Sequence, residues 1–184
     1  RHVFLRVLPI PSAVAGDPDL QEDEKLEHYT ATATDISVAP CSCRVSRRLM
    51  GEGCGHLEQD MCIQFNNGAR GFIANGHARR ISKEEAYAIV KKAEDNGLMH
   101  EIPNIDGNGK THALCNCCGC SCFSLRCGEY FHTATLVRSN YISHVDPEKC
   151  VACGECVEVC PMNALRLGER LENKTEIKIN EPLH

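Results

Sequence analysis

Five cysteines fall within eight residues, CNCCGCSC, from Cys115 to Cys122. No ordinary hydrophobic core asks for thiols at that density, and the whole chain carries fourteen cysteines in 184 residues. Two explanations compete: a secreted disulfide scaffold, or metal centres in a reducing compartment. The opening stretch RHVFLRVLPIPS lacks the long apolar run and small-residue cleavage site of a secretory signal. The cysteines sit in tight clusters, and an adjacent pair such as Cys117–Cys118 is poorly shaped for a mutual disulfide. The pattern predicts metal-bound thiolates in a cytoplasmic protein.

Other function classes drop out on composition. The net charge of −5 argues against a nucleic-acid surface, which needs clustered Lys and Arg. No apolar stretch is long enough to predict a membrane span. No GxGxxG follows a strand and no P-loop is present, so a dinucleotide or nucleotide fold is not expected. Apolar residues make up 42% of the chain, enough for a core, but Trp is absent. Leu, Ile, Val and Ala must therefore supply most of the packing.

The clearest element is a helix over 81–98, ISKEEAYAIVKKAEDNGL. Ser82 and Glu85 form a capping box, Ala86, Ile89, Val90 and Ala93 make an apolar stripe, and Gly97 supplies a stop. LMHEIPNI then reads as a strand, IDGNGK as a turn and THALC as the returning strand. HVFLRVLPI reads as a short strand broken by Pro9 and Pro11, residues 16–28 as helix-permissive, and ISVAP as an apolar approach to the first cysteines. NYISHV and ENKTEIKIN read as a strand pair near the C-terminus. Between 41 and 80 no period stands out, and ligation is expected to organise that stretch. The predicted fold class is α+β. Residues 1–35 are expected to form an N-terminal strand and helix, with a remnant of a longer chain as one reading of them. Residues 36–130 form a cysteine-rich, winged-helix-like helix–hairpin domain. Residues 140–184 form a ferredoxin-like half domain.

Three cysteine sites follow. Cys150-x2-Cys153-x2-Cys156-x3-Cys160-Pro161 is the bacterial ferredoxin run. Thiolates two residues apart wind a loop around one cubane, and Gly154 gives the backbone room to approach it. Zinc prefers two separated pairs. No second run follows, so either Cys160 or a cysteine from elsewhere completes this set, or the chain is a fragment cut before a second ferredoxin half. The second set is Cys41, Cys43, Cys54 and Cys62, four thiolates that also suit zinc. Arg44, Arg47 and Arg48 lie close enough in sequence to tune a negative cluster. The third is Cys115, Cys117, Cys118 and Cys122, with Cys120 as substitute and Cys127 left over. Other partitions, and a non-cubane cluster with extra thiolates, stay open at this point.

These motifs resemble the ferredoxin-type 4Fe–4S binding proteins of anaerobic bacteria and archaea. The resemblance rests on CSCR at 41–44, CGHLEQDMCI at 54–63, GHARRISKEEAYAIVKKAEDNGLMH at 76–100, CNCCGCSCFSLR at 115–126 and CVACGECVEVCP at 150–161. It covers about residues 36–165. It implies 4Fe–4S cofactors and work as an electron-transfer protein or as a module of a larger redox assembly.

The expected function is single-electron relay between redox partners through three 4Fe–4S clusters, with two to four as the range. Expected partners are redox proteins or subunits of a larger oxidoreductase complex, with neither nucleic acid nor membrane span. The acidic surface suits a basic partner. The chain reads as an electron carrier or electron-transfer subunit more than as a complete enzyme. The alternatives are an oxidoreductase subunit that binds substrate at an unusual CNCCGC cluster, a redox-sensing regulator, and a zinc-stabilised module.

Overall fold

The computed structural model describes residues 5–103, 111–132, 136–137, 141, 144–160, 162 and 164–167. The chain divides into two compact units, Arg1–Ser139 and Asn140–His184.

The first unit is built on a seven-stranded sheet. Its strands are β1 (Leu5–Leu8), β2 (Ile36–Ala39), β3 (Cys62–Phe65), β4 (Arg79–Arg80), β5 (Met99–Pro103), β6 (Ala113–Cys117) and β7 (Leu136–Val137), in the order β4-β2-β3-β6-β5-β1-β7. All pairings are antiparallel except β1 with β7. Successive strand residues face opposite sides of the sheet, and here the two sides have different jobs. One face carries Ile36, Val38, Ile63, Phe65, Leu114 and Ile102, all in the main core. Two helices add to that core: α1 (Leu26–Ala31) through Leu26 and Tyr29, and α4 (Lys83–Asp95) through Ala86, Ile89, Val90 and Ala93. The apolar stripe expected for the 81–98 helix is the face that packs. Ser82 caps it by accepting the Glu85 N–H at 3.1 Å.

The opposite face carries Cys62, Cys115, Cys117, Met99 and Glu101, placed by register. Cys62 lies opposite Cys115, Cys115 opposite Glu101, and Cys117 opposite Met99. A smaller apolar cluster of Leu5, Cys117, Cys122 and Leu125 packs there, with Leu125 supplied by α5 (Phe123–Tyr130). Several buried polar groups on the sheet are paired. Ser37 donates to Gln64, and Asn116 joins His100 (2.7 Å) to the Met61 carbonyl (3.1 Å).

Two features of the unit were not legible beforehand. Residues 41–80 hold regular elements: α2 (Ser42–Leu49), β3, α3 (Asn66–Ala74) and β4. The N-terminal segment, read as a piece apart, belongs to the sheet and core, because β1 pairs with β5 along Leu5–Leu8 and α1 buries Leu26. The expected IDGNGK turn and ENKTEIKIN strand lie outside the described residues, as does half of NYISHV. In the second unit the described regular element is α6 (Glu155–Val159). Among the described residues no helix is long and apolar enough to cross a membrane.

Candidate metal centres

The sheet register gathers thiols that are far apart in sequence. β2 runs into α2 through Cys41, and β6 runs through a turn into α5 at Cys122. Cys41 and Cys122 are thus the N-cap residues of α2 and α5. Helix N-termini carry partial positive charge and favour a thiolate. Because β3 starts where β2 ends (Ala39 opposite Cys62), all these thiols collect at one end of the sheet.

Six thiols form a ring there. Cys41 neighbours Cys43, Cys43 neighbours Cys122, Cys122 neighbours Cys117, Cys117 neighbours Cys115, and Cys115 neighbours Cys62, each near enough to shift the other's ionisation. Cys62 in turn feels the charge of Cys41, which closes the ring. Hydrogen bonds from Cys122 and Cys41 hold the Cys43 thiol far below its ordinary value. Bonds from Cys117 and Cys62 do the same for Cys115. Their donors shift the opposite way: Cys62 and Cys117 are pushed up, chiefly by Cys115. Gln64 adds an amide N–H to Cys62 at 3.0 Å. Cys41 is pushed up as well, chiefly by Cys43. A bond from Cys117 lowers Cys122, but Cys43 and burial outweigh it and raise that thiol to about 12. Negative sulfur, the form that binds metal, therefore concentrates on Cys43 and Cys115.

A second group lies beside it. One sulfur each from Cys54, Cys118 and Cys120 falls within 4.8 Å of the others, and the Cys54 and Cys118 sulfurs are 3.9 Å apart. Burial pushes the Cys54 thiol up, but hydrogen bonds from Ser121 and the His56 amide outweigh it and bring it down to about 7. The Ser121 hydroxyl is 3.1 Å from the Cys54 sulfur. Cys120, exposed, is pushed up to about 12 by partial burial and then by Cys118.

Arg44 sits at the seam of the two groups, 3% exposed. Its Nη1 donates to the Cys118 sulfur at 3.5 Å and its Nη2 to the Asn116 carbonyl at 2.9 Å. Burial works against its charge, and the thiols of Cys41, Cys118 and Cys117 outweigh that penalty. Arg47 and Arg48 point elsewhere, pairing with Glu52 and Glu58.

The grouping differs from the one that spacing suggested. Cys54 lies with Cys118 and Cys120 rather than completing a set with Cys41, Cys43 and Cys62. Those three join Cys115, Cys117 and Cys122. The reason is the β3–β6 pairing, which sets Cys62 beside Cys115 across a gap in sequence that no local spacing rule spans. Cys120, held as a substitute ligand, is within reach of a site. Cys127 lies within α5. Glu101 was not anticipated: one of its carboxylate oxygens is within 4.8 Å of the Cys117 and Cys122 sulfurs. Burial pushes its carboxyl up to about 7. The one signal in the sequence was a charged residue inside an apolar strand, MHEIP.

In the second unit, Cys150 and Cys160 are partly buried, and Cys153 and Cys156 are exposed. Asp146 shapes the entry: its side chain accepts the Glu148 N–H (3.0 Å) and its carbonyl the Cys150 N–H (3.0 Å). Gly154, at φ +86°, turns the chain into α6 in a conformation a side chain would strain. The donor sets fit iron–sulfur clusters. All fourteen cysteines are free thiols, and in the first unit sulfurs converge with amide and hydroxyl donors aimed at them.

Comparison with known proteins agrees with this chemistry. Residues 143–166 match the model of a 4Fe-4S binding domain. The chain is also similar to a subunit of the ion-translocating oxidoreductase complex of Methanosarcina acetivorans, 31% identical over 78 residues. That match covers 41% of this chain, which spans only 28% of the relative's length. No solved structure matches. The ferredoxin run thus lies inside a matched cluster-binding domain and further thiol groups collect in the first unit, so the chain carries a ferredoxin-type 4Fe–4S binding domain.

Proposed function

We propose that the chain is a multi-cluster electron-transfer module holding three clusters. One is a 4Fe–4S cluster on Cys150, Cys153, Cys156 and Cys160. The second is held by the ring of Cys41, Cys43, Cys62, Cys115, Cys117 and Cys122, and the third by Cys54, Cys118 and Cys120. When bound, such clusters supply one-electron exchange at potentials set by charge, hydrogen bonds and solvent access. The chain's own residues do the tuning. Gln64 and Ser121 donate to ligand sulfurs, and Arg44 offsets negative charge on both sides of the seam.

One observation carries the reading: Cys117 and Cys118 are adjacent in sequence and belong to different thiol groups. Consecutive Cα atoms are about 3.8 Å apart, so two clusters bound there are near neighbours. Such closeness suits electron relay. The relative named above is part of an oxidoreductase complex, which supports a role between partner proteins in anaerobic metabolism.

A second reading draws on the three-thiol group. Three ligands and an exposed Cys120 would leave one iron open to a small molecule, which favours a substrate-binding cluster in an oxidoreductase subunit.

Anaerobic purification followed by iron and sulfide analysis tests the main reading. Three cubane-sized clusters contain about twelve irons, with a broad visible band that bleaches on reduction. Cys153→Ala should remove about one cluster's worth of iron. Zinc in place of iron, or full iron retention in Cys153→Ala, refutes it. Small-molecule turnover by the isolated chain favours the second reading.

A further inference from the structure

The face of β5 toward the thiols carries one carboxylate where apolar or sulfur side chains are otherwise the rule. Glu101 continues a row across the sheet, with Cys62 opposite Cys115 and Cys115 opposite Glu101. On its other side stands Val7. Glu101 is 0% exposed. Its Oε2 is 3.8 Å from the Cys122 sulfur, and its buried Oε1 has no hydrogen-bond partner among the described residues. A carboxylate so placed is costly unless something positive meets it. Arg44, the buried cation of the site, directs its guanidinium to Cys118 and the Asn116 carbonyl instead. The missing partner is a cation small enough to fit among Glu101, Cys117 and Cys122, three buried groups that converge within 4.8 Å.

We propose that Glu101 is an iron ligand, binding through a carboxylate oxygen one iron of the cluster held by the six-thiol ring. The inference rests on that ring holding a cluster. Iron accepts carboxylate oxygen as well as thiolate, so a mixed oxygen–sulfur site is chemically ordinary. Such an iron is more ionic than its thiolate-bound neighbours. It is also the position of the cluster at which a ligand exchanges most readily, because the carboxylate can shift between one and two bound oxygens or let go.

The rival role for Glu101 is a protonated acid that donates a hydrogen bond to a ligand sulfur, and the two roles separate experimentally. The full chain is loaded with iron-57 and purified without oxygen, and its Mössbauer spectrum is compared with those of Cys117→Ala, Glu101→Gln and Glu101→Cys. The wild type is expected to show a minority iron subsite with an isomer shift above that of the thiolate-bound irons. Glu101→Gln, which keeps a hydrogen-bond donor but ligates poorly, should lose that subsite and up to one iron per chain. Glu101→Cys should restore the iron with a sulfur-type signature. Unchanged iron in Cys117→Ala sinks the cluster at the ring itself. Iron lost in Cys117→Ala, with iron content and subsites unchanged in Glu101→Gln, leaves the cluster standing and overturns Glu101 as its ligand. A wild-type spectrum in which every iron is sulfur-bound overturns the proposal even if no variant folds.

Discussion

Replacing Arg44 by Gln removes the buried positive charge at the seam of two thiol groups and leaves a hydrogen-bond donor in its place. The size of the effect follows from distance. Arg44 Nη1 lies 3.5 Å from the Cys118 sulfur, and a metal–thiolate bond adds about 2.3 Å, so the cation stands roughly 6 Å from the nearest iron. With an effective dielectric constant near 20, one added electron at that separation gains about 3 kcal/mol from the cation. For a one-electron couple, 1.4 kcal/mol corresponds to about 59 mV. Spreading the electron over a cluster dilutes the effect, so Arg44→Gln should lower the midpoint of the affected centre by about 100 mV. Arg44→Lys keeps the charge but not the planar fork, and should recover part of the shift. The assay is a potentiometric titration followed by electron paramagnetic resonance on anaerobically purified protein, with iron content checked to be equal. Midpoints of all centres staying within about 20 mV of wild type, or any rise, refute the reasoning that this guanidinium favours the reduced state.

Two further outcomes test the frame that holds the site. At Gly68, in α3, an added Cβ would stand 2.9 Å from the His112 carbonyl oxygen, which is backbone and cannot swing away. Gly68→Ala should destabilise the first unit by about 1–3 kcal/mol, and a urea midpoint equal to wild type would show that α3 yields freely. The carboxyl of Asp35 is held below its ordinary value by Arg80 first and then Arg70. A lowered folded pKa stabilises the charged form, so the contribution is present above the unfolded aspartate value of about 3.9 and is lost as pH falls through the folded one. The gap in urea midpoint between wild type and Asp35→Asn should narrow on acidification, and a widening gap contradicts the sign.

What the sequence could disclose here depended on range. The ferredoxin run is local, four thiols in eleven residues, and needs no fold to be recognised. The helix at 83–95 shows itself through Ser82 and an unbroken apolar stripe, both local as well. The division of the remaining thiols is not local, since it depends on which strand lies beside which. β3, CIQF, is too short to show a period, and both its faces are largely buried, so Gln64 and Ile63 are equally hidden and the alternation that marks a half-exposed strand is missing. Without β3 there was no means of seeing Cys62 meet Cys115. Glu101 was hidden for a related reason. A single charged residue in MHEIP reads as the solvent side of a strand, whereas Leu125 of α5 and Leu5 of β1 pack on that side here and leave the carboxylate among sulfurs.

The join between Cys117 and Cys118 ties assembly to alignment. Cys117 packs with Leu5 and Leu125, and Cys118 with the main core, so one peptide link divides the two thiol groups. A slip of β6 by a single residue would reverse both assignments at once. On the proposed reading, whichever cluster is loaded first would hold the strand in register for the second, and the two centres would mature in sequence.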